Sequence, residues 1–297
     1  MKSKISRRQF LKQSAFAGVG LSLAPKRALQ NYIVEPGVFS FGIVADLHYA
    51  EKDMRINRYY RHSDEKLHRC IETFNRNKLP FAITVGDLID KAPDKPTEIE
   101  YVGTIRRVFS ELRGDKHFVL GNHDLARFSK EEFIARCRGV IDKSYYSFDA
   151  GGYHFVILDA NFRQDGEPYQ EGNFTWRDTS IPKHQQSWLR KDLKKAGKKG
   201  VFVFVHQNLH DENSRYGVKN ADEVRNILKE AGNVLAVIQG HHHEGGYTRI
   251  NGIHYLTLKA LVDGPWLENN AYGILSVDSR NRIRVRGFGK QEDLILG

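Results

Sequence analysis

FSFGIVADLH, at residues 39–48, is a short apolar run that ends abruptly at an aspartate and a histidine. Short runs rich in Val, Ile and Phe, bounded by Gly and by acidic or amide residues, are typical of buried β-strands. The same pattern predicts four more strands, at residues 81–85, 117–120, 201–205 and 234–238. Because polar residues follow each run, the sequence predicts a sheet with chemical groups beyond the carboxyl ends of its strands.

Helical patterns separate these strands, and hairpin patterns follow them. The predicted helices are Ser63–Asn77, Thr97–Arg113, Ser129–Arg138, Lys183–Ala196 and Ala221–Ala231. Hairpins are predicted where Tyr145–Asp149 meets Tyr153–Asp159, where Ile274–Val277 meets Ile283–Arg286, and within Tyr247–Leu258 around Asn251-Gly252. Alternating strands and helices followed by hairpins favour one α/β domain with packed mixed sheets.

Five polar fragments lie at the predicted strand ends, where open α/β sheets bind their ligands. They are Asp46-Leu47-His48, Gly86-Asp87-Leu88-Ile89-Asp90, Gly121-Asn122-His123-Asp124, His206, and Gly240-His241-His242-His243. Each fragment alone is a weak signal, since an isolated strand-end histidine is more often simply hydrogen-bonded. Together they supply carboxylate, imidazole and amide groups without thiolate, a combination that suits Mn²⁺, Fe or Zn²⁺.

The ordered set resembles the calcineurin-like metallophosphoesterases, whose pattern is D-x-H, G-D-x-x-D, G-N-H-D/E, H and G-H-x-H. The resemblance implies a metal-dependent phosphoric ester hydrolase with an αββα fold, in which helices flank two packed mixed β-sheets. It also implies two metal ions, of Mn, Fe or Zn, with a hydroxide that bridges them and attacks phosphorus. One ion would be held by Asp46, His48, Asp87 and His243, and the other by Asp87, Asn122, His206 and His241.

Two further residues acquire a catalytic role from the same resemblance. His123 would lie beside the metals and pair with Asp90, which would orient the imidazole and favour its protonated form. His123 would then stabilise charge on the phosphoryl group or protonate the leaving oxygen. The alternative for Asp90 is a helix cap. His242 lies between two predicted ligands, so we expect its side chain to point away from them.

The substrate is less directly indicated. Residues 240–247, GHHHEGGY, resemble the manganese-dependent ADP-ribose/CDP-alcohol diphosphatase branch, whereas His206-Gln207-Asn208 departs from relatives that have proline at the third position. Aromatic residues that could stack on a base, or simply pack, are Tyr49, Phe174, Trp176 and Tyr247. Tyr247 is predicted at the cavity rim because it closely follows His243.

From these features we predict hydrolysis of small phosphodiesters or nucleotide diphosphate conjugates, with Mn²⁺ as the best activator. The main alternative is a phosphomonoesterase on the same site. A non-catalytic metal-binding scaffold would be expected to lack some ligands, and the sequence lacks none. Hydrolysis of a peptide or lactam bond is disfavoured, since the sequence has no H-E-x-x-H motif.

The amino-terminal segment predicts export. Ser6–Lys12 resembles the twin-arginine signal S-R-R-x-F-L-K, and the apolar run Ser14–Ala24 has 11 residues, against about 20 needed to span a bilayer. We therefore predict a signal peptide at residues 1–28, a phosphoesterase domain at 29–297, and a periplasmic or extracellular location without stable membrane insertion. The expected partner is the twin-arginine export machinery. The alternative is an uncleaved amphipathic anchor.

The net charge does not favour nucleic acid. The chain of 297 residues has 46 Lys and Arg against 36 Asp and Glu. Residues 1–28 contain seven of the basic residues and no acidic one, which leaves 39 against 36 in the remainder. A nearly neutral domain lacks the basic stripe that a polymeric phosphate backbone requires.

Cys70 and Cys137 are the only cysteines. Two isolated cysteines within helical patterns favour buried free thiols, and a disulfide in the exported protein is the alternative.

Overall fold

The structure is a computed structural model that describes residues 37–296, so the predicted signal peptide lies outside the described residues. Two six-stranded sheets form its centre. The first contains β1 (Val38–Val44), β2 (Phe81–Val85), β3 (Asp115–Val119), β10 (Ala271–Asp278), β11 (Ile283–Gly289) and β12 (Leu294–Leu296). The second contains β4 (Tyr146–Ala150), β5 (Tyr153–Ile157), β6 (Val201–Val205), β7 (Val234–Gln239), β8 (Gly246–Ile250) and β9 (Ile253–Thr257).

Both sheets are mixed. The first has the order β12-β11-β10-β1-β2-β3, in which β1, β2 and β3 are parallel and β10 runs antiparallel to β1. The second has the order β4-β5-β6-β7-β9-β8, with a parallel centre and an antiparallel strand at each edge. The parallel strands β2 and β6 are buried along their whole length, which explains their uninterrupted apolar sequences.

Helices cover the outer face of each sheet. They are α1 (Ser63–Arg76), α2 (Lys95–Ser110), α3 (Lys130–Arg136), α4 (Lys183–Ala196) and α5 (Ala221–Ala231). Leu67 and Phe74 of α1 pack on the first sheet, and Leu189 and Leu228 of α4 and α5 pack on the second. A third core lies between the sheets, so the predicted αββα fold is confirmed.

Aromatic side chains fill the space between the two sheets. The rings of Phe41 and Phe81, from the first sheet, each have their centroid within 5.2 Å of the centroid of Phe155, from the second. Edge-to-face pairs of this kind contribute about 0.5–1.5 kcal/mol beyond the area that they bury. The inner faces of the two sheets are therefore held together by a dense apolar layer.

The predicted strands, helices and hairpins are confirmed, with small differences in bounds. Helix α2 begins two residues earlier than predicted because Asp94 caps it, accepting a hydrogen bond from the Thr97 amide at 2.8 Å. Cys70 and Cys137 are buried free thiols, so the prediction of free thiols is confirmed and the disulfide alternative is wrong. Among residues 37–296, no helix is both long enough and apolar enough to cross a membrane.

Candidate metal centre

The five polar fragments meet at one edge of the sandwich, beyond the carboxyl ends of β1, β2, β3, β6 and β7. The side chains form three groups, within each of which one ligand atom per residue lies within 4.8 Å of the others. They are Asp46, His48 and His243, then Asp87, His206 and His241, and finally His48, Asp90 and His123. The first two, called the ligand groups below, contain six of the seven predicted metal ligands, and the third contains the predicted pair His123 and Asp90. Asp87 Oδ2 lies 3.4 Å from His48 Nε2 of the first group, so this carboxylate faces both ligand groups.

The backbone is strained where it presents several of these side chains. Asp46, His48, Asp87 and His241 have φ angles of 55°, 45°, 52° and 68°, in the left-handed region that non-glycine residues rarely adopt. Such conformations cost about 1–3 kcal/mol each and persist only where the surrounding structure fixes them. Part of that fixation is visible, since the His241 amide donates to the Asp46 carboxylate and the His48 amide donates to the Asp87 carbonyl.

Two glycines allow neighbouring loops to approach the ligands closely. A Cβ at Gly121 would lie 2.1 Å from the Asp87 amide nitrogen, and a Cβ at Gly240 would lie 2.6 Å from Asp46 Oδ2. Both distances are shorter than van der Waals contact, so any larger residue would push a predicted ligand out of position. These glycines of the motifs are therefore required by packing around the carboxylates.

The orientation of the imidazoles fits metal ligation. His206 Nδ1 donates to the Val85 carbonyl at 2.8 Å, and His243 Nδ1 lies 3.1 Å from Asp263 Oδ1. Metal-ligating histidines in proteins commonly place one ring nitrogen on such a partner and use the other for the ion. The Nε2 atoms of His48 and His243 in turn converge to 3.2 Å.

Several buried polar atoms of this centre have no hydrogen-bond partner among the described residues. They include Asn122 Oδ1, His206 Nε2 and His241 Nε2. His206 Nε2 lies 3.1 Å from Asp87 Oδ2. When the imidazole is neutral with its proton on Nδ1, as metal ligation requires, these two atoms face each other as acceptors. Unpaired buried acceptors are costly, and a cation between them removes the cost. The donor set and its orphaned atoms thus fit divalent cations.

Asp90 is the centre of a second layer. Its carboxylate lies 3.2 Å from His123 Nδ1, 3.3 Å from His48 Nδ1 and 2.8 Å from Lys52 Nζ. Burial raises the pKa of Asp90, but hydrogen bonds from His123 and His48 outweigh burial and hold it well below its ordinary value. Since Asp94 caps α2, Asp90 pairs with His123 as predicted and does not cap that helix.

His123 lies between the two ligand groups and the solvent, with 27% of its side chain exposed. Burial lowers the pKa of His123, but the charges of Asp87 and Asp90 outweigh burial and raise it above its ordinary value. Its ring contacts that of His48 edge to face, with centroids 4.5 Å apart. Its contacts with Asp90 and His48 therefore hold the His123 imidazole in place at the cavity wall.

Sequence reasoning missed two carboxylates that support the centre. Asp124 accepts hydrogen bonds from the amides of Gly121 and Leu88 and so joins two of the motif loops. Its position in G-N-H-D was the available signal. Asp263 supports His243 from a loop 20 residues away, and no sequence pattern marks it. Buried Lys66 holds this loop by donating to the Leu261 and Gly264 carbonyls, each at 2.7 Å.

The departure at residues 206–208 has a structural explanation. The side-chain amide of Asn208 donates a hydrogen bond to the Gly240 carbonyl at 3.1 Å, which a proline at this position could not do. Gln207 donates to Asn161 Oδ1 at 2.7 Å. Asn208, at the position where relatives have proline, therefore connects the His206 loop to the loop that carries His241.

Two cavities meet at the centre. One, of about 620 Å³, contains Asp87, His241 and His243 and is also lined by Lys52, Arg55, Arg58, Arg215, Trp176 and Tyr216. The other, of about 610 Å³, shares Asn122, His123 and Trp176 with the first and adds Phe174 and Arg177. A larger cavity of about 1080 Å³, between α3 and α4, contains none of the predicted ligands. Chemistry and not size therefore identifies the candidate site.

The expectation for Tyr247 was wrong. Tyr247 lies on β8, donates or accepts a hydrogen bond with His254 Nδ1 at 2.9 Å, and lines neither cavity at the centre. Tyr49 is buried and contacts Glu51, whereas Trp176 and Phe174 do line the cavities. The chain turns at Gly245, where φ is +72°, and this turn directs β8 away from the ligands.

His242 points away from the centre, as predicted. Its ring stacks on that of Tyr216 with centroids 4.3 Å apart, while the Tyr216 ring also contacts His241. Tyr216 was not singled out from the sequence.

Comparisons with known proteins agree with this arrangement. Residues 39–245 match the sequence profile of a family described as calcineurin-like phosphoesterase. A manganese-dependent ADP-ribose/CDP-alcohol diphosphatase from Oryza sativa is 27% identical, over 86% of this chain and 93% of that protein. One from Xenopus laevis is 26% identical, over 91% and 94%. The crystal structure of a dimetal phosphatase from Danio rerio has the same fold, with a TM-score of 0.75, 23% identity, and coverage of 86% of this chain and 98% of that one.

Proposed function

The chain belongs to the calcineurin-like phosphoesterase family and is a metal-dependent phosphoric ester hydrolase, and from this premise we propose that its substrates are small phosphodiesters or nucleotide diphosphate conjugates. The observation that carries the proposal is the junction of two cavities at His123 and Trp176. One cavity supplies the predicted ligands and several cationic side chains. The other supplies aromatic surface for an organic group.

We assign the metal ligands as two sets that share Asp87. One set is Asp46, His48, Asp87 and His243, and the other is Asp87, Asn122, His206 and His241. Two Mn²⁺ ions held there would supply Lewis acidity for the phosphoryl oxygens. The relatives described as manganese-dependent diphosphatases support Mn²⁺ as the activating ion.

The remaining residues of the site act on the substrate directly. His123, held by Asp90 on its Nδ1 side, donates a hydrogen bond to a phosphoryl oxygen or a proton to the leaving oxygen. Lys52 and Arg58 lie against the same Asp90 carboxylate at 2.8 and 3.6 Å, and they place positive charge on the cavity wall. An anionic phosphate ester is thereby oriented with its leaving group near His123.

Aromatic side chains favour a substrate that has a flat organic group. The ring of Phe174 stacks on that of Tyr169 with centroids 3.9 Å apart, which fixes Phe174 in the second cavity. The ring centroids of Trp176 and His241 lie 5.4 Å apart, and Trp176 borders both cavities. A base or an aryl group can stack on such surfaces, and each stacked base contributes about 1–3 kcal/mol.

The test compares kcat/KM on the Mn²⁺-loaded enzyme for an aryl phosphodiester, an aryl phosphomonoester and a nucleotide diphosphate sugar. We expect either the aryl phosphodiester or the nucleotide diphosphate sugar to have the highest kcat/KM. We also expect a chelator to remove the activity and added Mn²⁺ to restore it. A monoester preferred by more than about a hundredfold, which equals roughly 2.7 kcal/mol, would support the phosphomonoesterase alternative. A protein that bound Mn²⁺ and hydrolysed none of the three would support the non-catalytic scaffold.

We also propose that the enzyme is exported through the twin-arginine pathway to the periplasm or the extracellular space, with residues 1–28 as its signal and residues 29–297 as its domain. The support is the match of Ser6–Lys12 to the twin-arginine pattern and the concentration of unopposed basic residues in residues 1–28. The free thiols of Cys70 and Cys137 are consistent with folding before export.

A further inference from the structure

Arg215 is an exposed side chain on a tightly braced loop between β6 and α5. The backbone amide of Asn208 donates to the Tyr216 carbonyl at 3.1 Å, and Glu212 forms an ion pair with Arg225 at 2.7 Å. A Cβ at Gly217 would lie 1.8 Å from the Asp211 carbonyl oxygen, so the two ends of the loop are in close contact. The loop therefore presents Arg215 from a fixed backbone.

Two aromatic rings hold the Arg215 guanidinium beside the metal centre. Its central carbon lies 4.9 Å from the centroid of Trp176 and 5.4 Å from that of Tyr216. The same two rings contact the ring of His241, at 5.4 and 5.7 Å. Only one layer of aromatic side chains therefore separates Arg215 from the group Asp87, His206 and His241.

Within residues 37–296, the charge of Arg215 has no opposite charge paired with it. No carboxylate of residues 37–296 forms an ion pair with it, whereas Lys52 and Arg58 both lie against Asp90. Stacking on aromatic faces leaves the N–H edge of a guanidinium available for oxygen ligands. A planar guanidinium binds phosphate through two parallel hydrogen bonds, an arrangement that provides both affinity and geometric selectivity.

We propose that Arg215 binds the second phosphate of a diphosphate substrate, the one that is not attacked, and so determines selectivity for diphosphate conjugates. This inference rests on the proposed function, because it takes the attacked phosphate to lie at the two ligand groups. Arg215 lines the same cavity as Asp87 and His241 and lies on the His241 side of it. A simple aryl diester has no second phosphate and gains nothing from Arg215.

The experiment compares Arg215→Met and Arg215→Lys with the wild type on a nucleotide diphosphate sugar and an aryl phosphodiester. We expect Arg215→Met to lower kcat/KM for the diphosphate sugar about 10- to 100-fold, because a charge-assisted hydrogen bond is lost. For the diester, we expect kcat/KM to fall at most about threefold. Arg215→Lys should recover part of the diphosphate activity, since it restores charge without the planar fork.

The matched control is Arg136→Met. The Arg136 guanidinium carbon lies 4.7 Å from the Phe128 centroid, but Arg136 lines neither cavity at the centre. We expect Arg136→Met to retain wild-type selectivity. An equal loss for both substrates in Arg215→Met would indicate a general structural role and overturn the inference. So would selectivity that depends on Arg55, another arginine of the first cavity, and not on Arg215.

Binding separates this inference from the proposed function. Calorimetry with the non-hydrolysable α,β-methylene-ADP and with AMP requires no turnover. We expect Arg215→Met to weaken α,β-methylene-ADP about 10- to 100-fold and AMP by less than about threefold. Equal weakening of both nucleotides, or of neither, would overturn the role of Arg215. A wild type that shows the Arg215-dependent binding but hydrolyses no diphosphate conjugate would contradict the proposed function alone.

Discussion

Asp87 is the residue on which the two ligand groups depend. Its Oδ2 atom lies 3.4 Å from His48 Nε2 and 3.1 Å from His206 Nε2, and its Oδ1 atom accepts the His123 amide at 2.8 Å. This carboxylate therefore faces both ligand groups and also fixes the backbone of the G-N-H-D loop.

The first prediction is that Asp87→Ala abolishes activity and lowers Mn²⁺ content at both ion sites, because both lose a ligand. Metal analysis of the purified variant measures the loss. The matched control is His242→Ala, a histidine between two predicted ligands whose ring stacks on Tyr216 outside the centre. His242→Ala should keep its metal, and an equal loss in both variants would contradict the ligand assignment.

The second prediction separates His123 from the ligands. His123→Ala should retain most of the bound Mn²⁺, because His123 is not among the ligands assigned to the two ion sites and its Nδ1 is directed at Asp90. Turnover should fall about 10²–10⁴-fold, as is typical for loss of a general acid or a charge-stabilising donor. Metal content as low as that of Asp87→Ala would show that His123 is a ligand instead.

At the level of elements, an ion network joins the β4–β5 hairpin to α4. His154 on β5 lies 2.7 Å from Asp149 Oδ1 on β4 and 2.9 Å from Asp192 Oδ2 on α4. Lys199 pairs with the same Asp149, and Ser147 donates to Asp192. The hydrogen bond with Asp192 raises the pKa of His154 above its ordinary value, although burial opposes it.

The third prediction follows from that shift. A histidine whose pKa is higher in the folded state than in the unfolded chain stabilises the fold fully below its unfolded pKa of about 6.5. This contribution is lost as the pH rises through the folded pKa of His154. Urea unfolding between pH 5.5 and 9 should therefore show a pH-dependent loss of stability that is reduced in His154→Gln. The control His68→Gln changes an exposed histidine on α1, and a pH dependence that is the same in wild type and His154→Gln would refute the assignment.

The elements themselves were predictable because their signals are local. Strands β1, β2 and β6 are apolar runs that stop at Asp46, Gly86 and His206, and parallel strands bring such ends to one edge. Each motif residue was therefore placed correctly by its position relative to a strand. The prediction for Tyr247 was wrong because it relied on closeness in sequence to His243. The chain turns at Gly245, which has a left-handed φ angle, and Tyr247 therefore lies away from the ligands.

Over the whole molecule, the residues that sequence could not reveal are those that reach the centre from distant loops. Asp263 supports His243 and Arg215 stacks beside His241, yet neither lies in a motif or at a strand end. Their positions depend on loop conformations that are set by long-range contacts, such as the buried amine of Lys66 on the Leu261 and Gly264 carbonyls. The polar residues of the motifs were thus marked by local sequence, whereas the residues that reach them from distant loops were not.

The last prediction concerns the proposed export of the whole chain. The described domain has buried free thiols at Cys70 and Cys137, so its fold does not depend on an oxidising compartment. A domain that acquires metal and folds before transport requires a pathway for folded proteins, which the twin-arginine pattern at residues 6–12 implies. Arg7→Lys together with Arg8→Lys keeps the charge but removes both arginines, and it should leave the folded, metal-loaded precursor in the cytoplasm.

Cell fractionation with immunoblotting measures this retention, and Arg27→Lys serves as the control because it makes the same change outside the pattern. The control should be exported like the wild type. Because the charge is equal in all variants, retention of the double mutant alone must come from loss of the arginine pair and not from a weaker attraction to the membrane surface. Export of the double mutant at the wild-type level would show that residues 1–28 do not act as a twin-arginine signal.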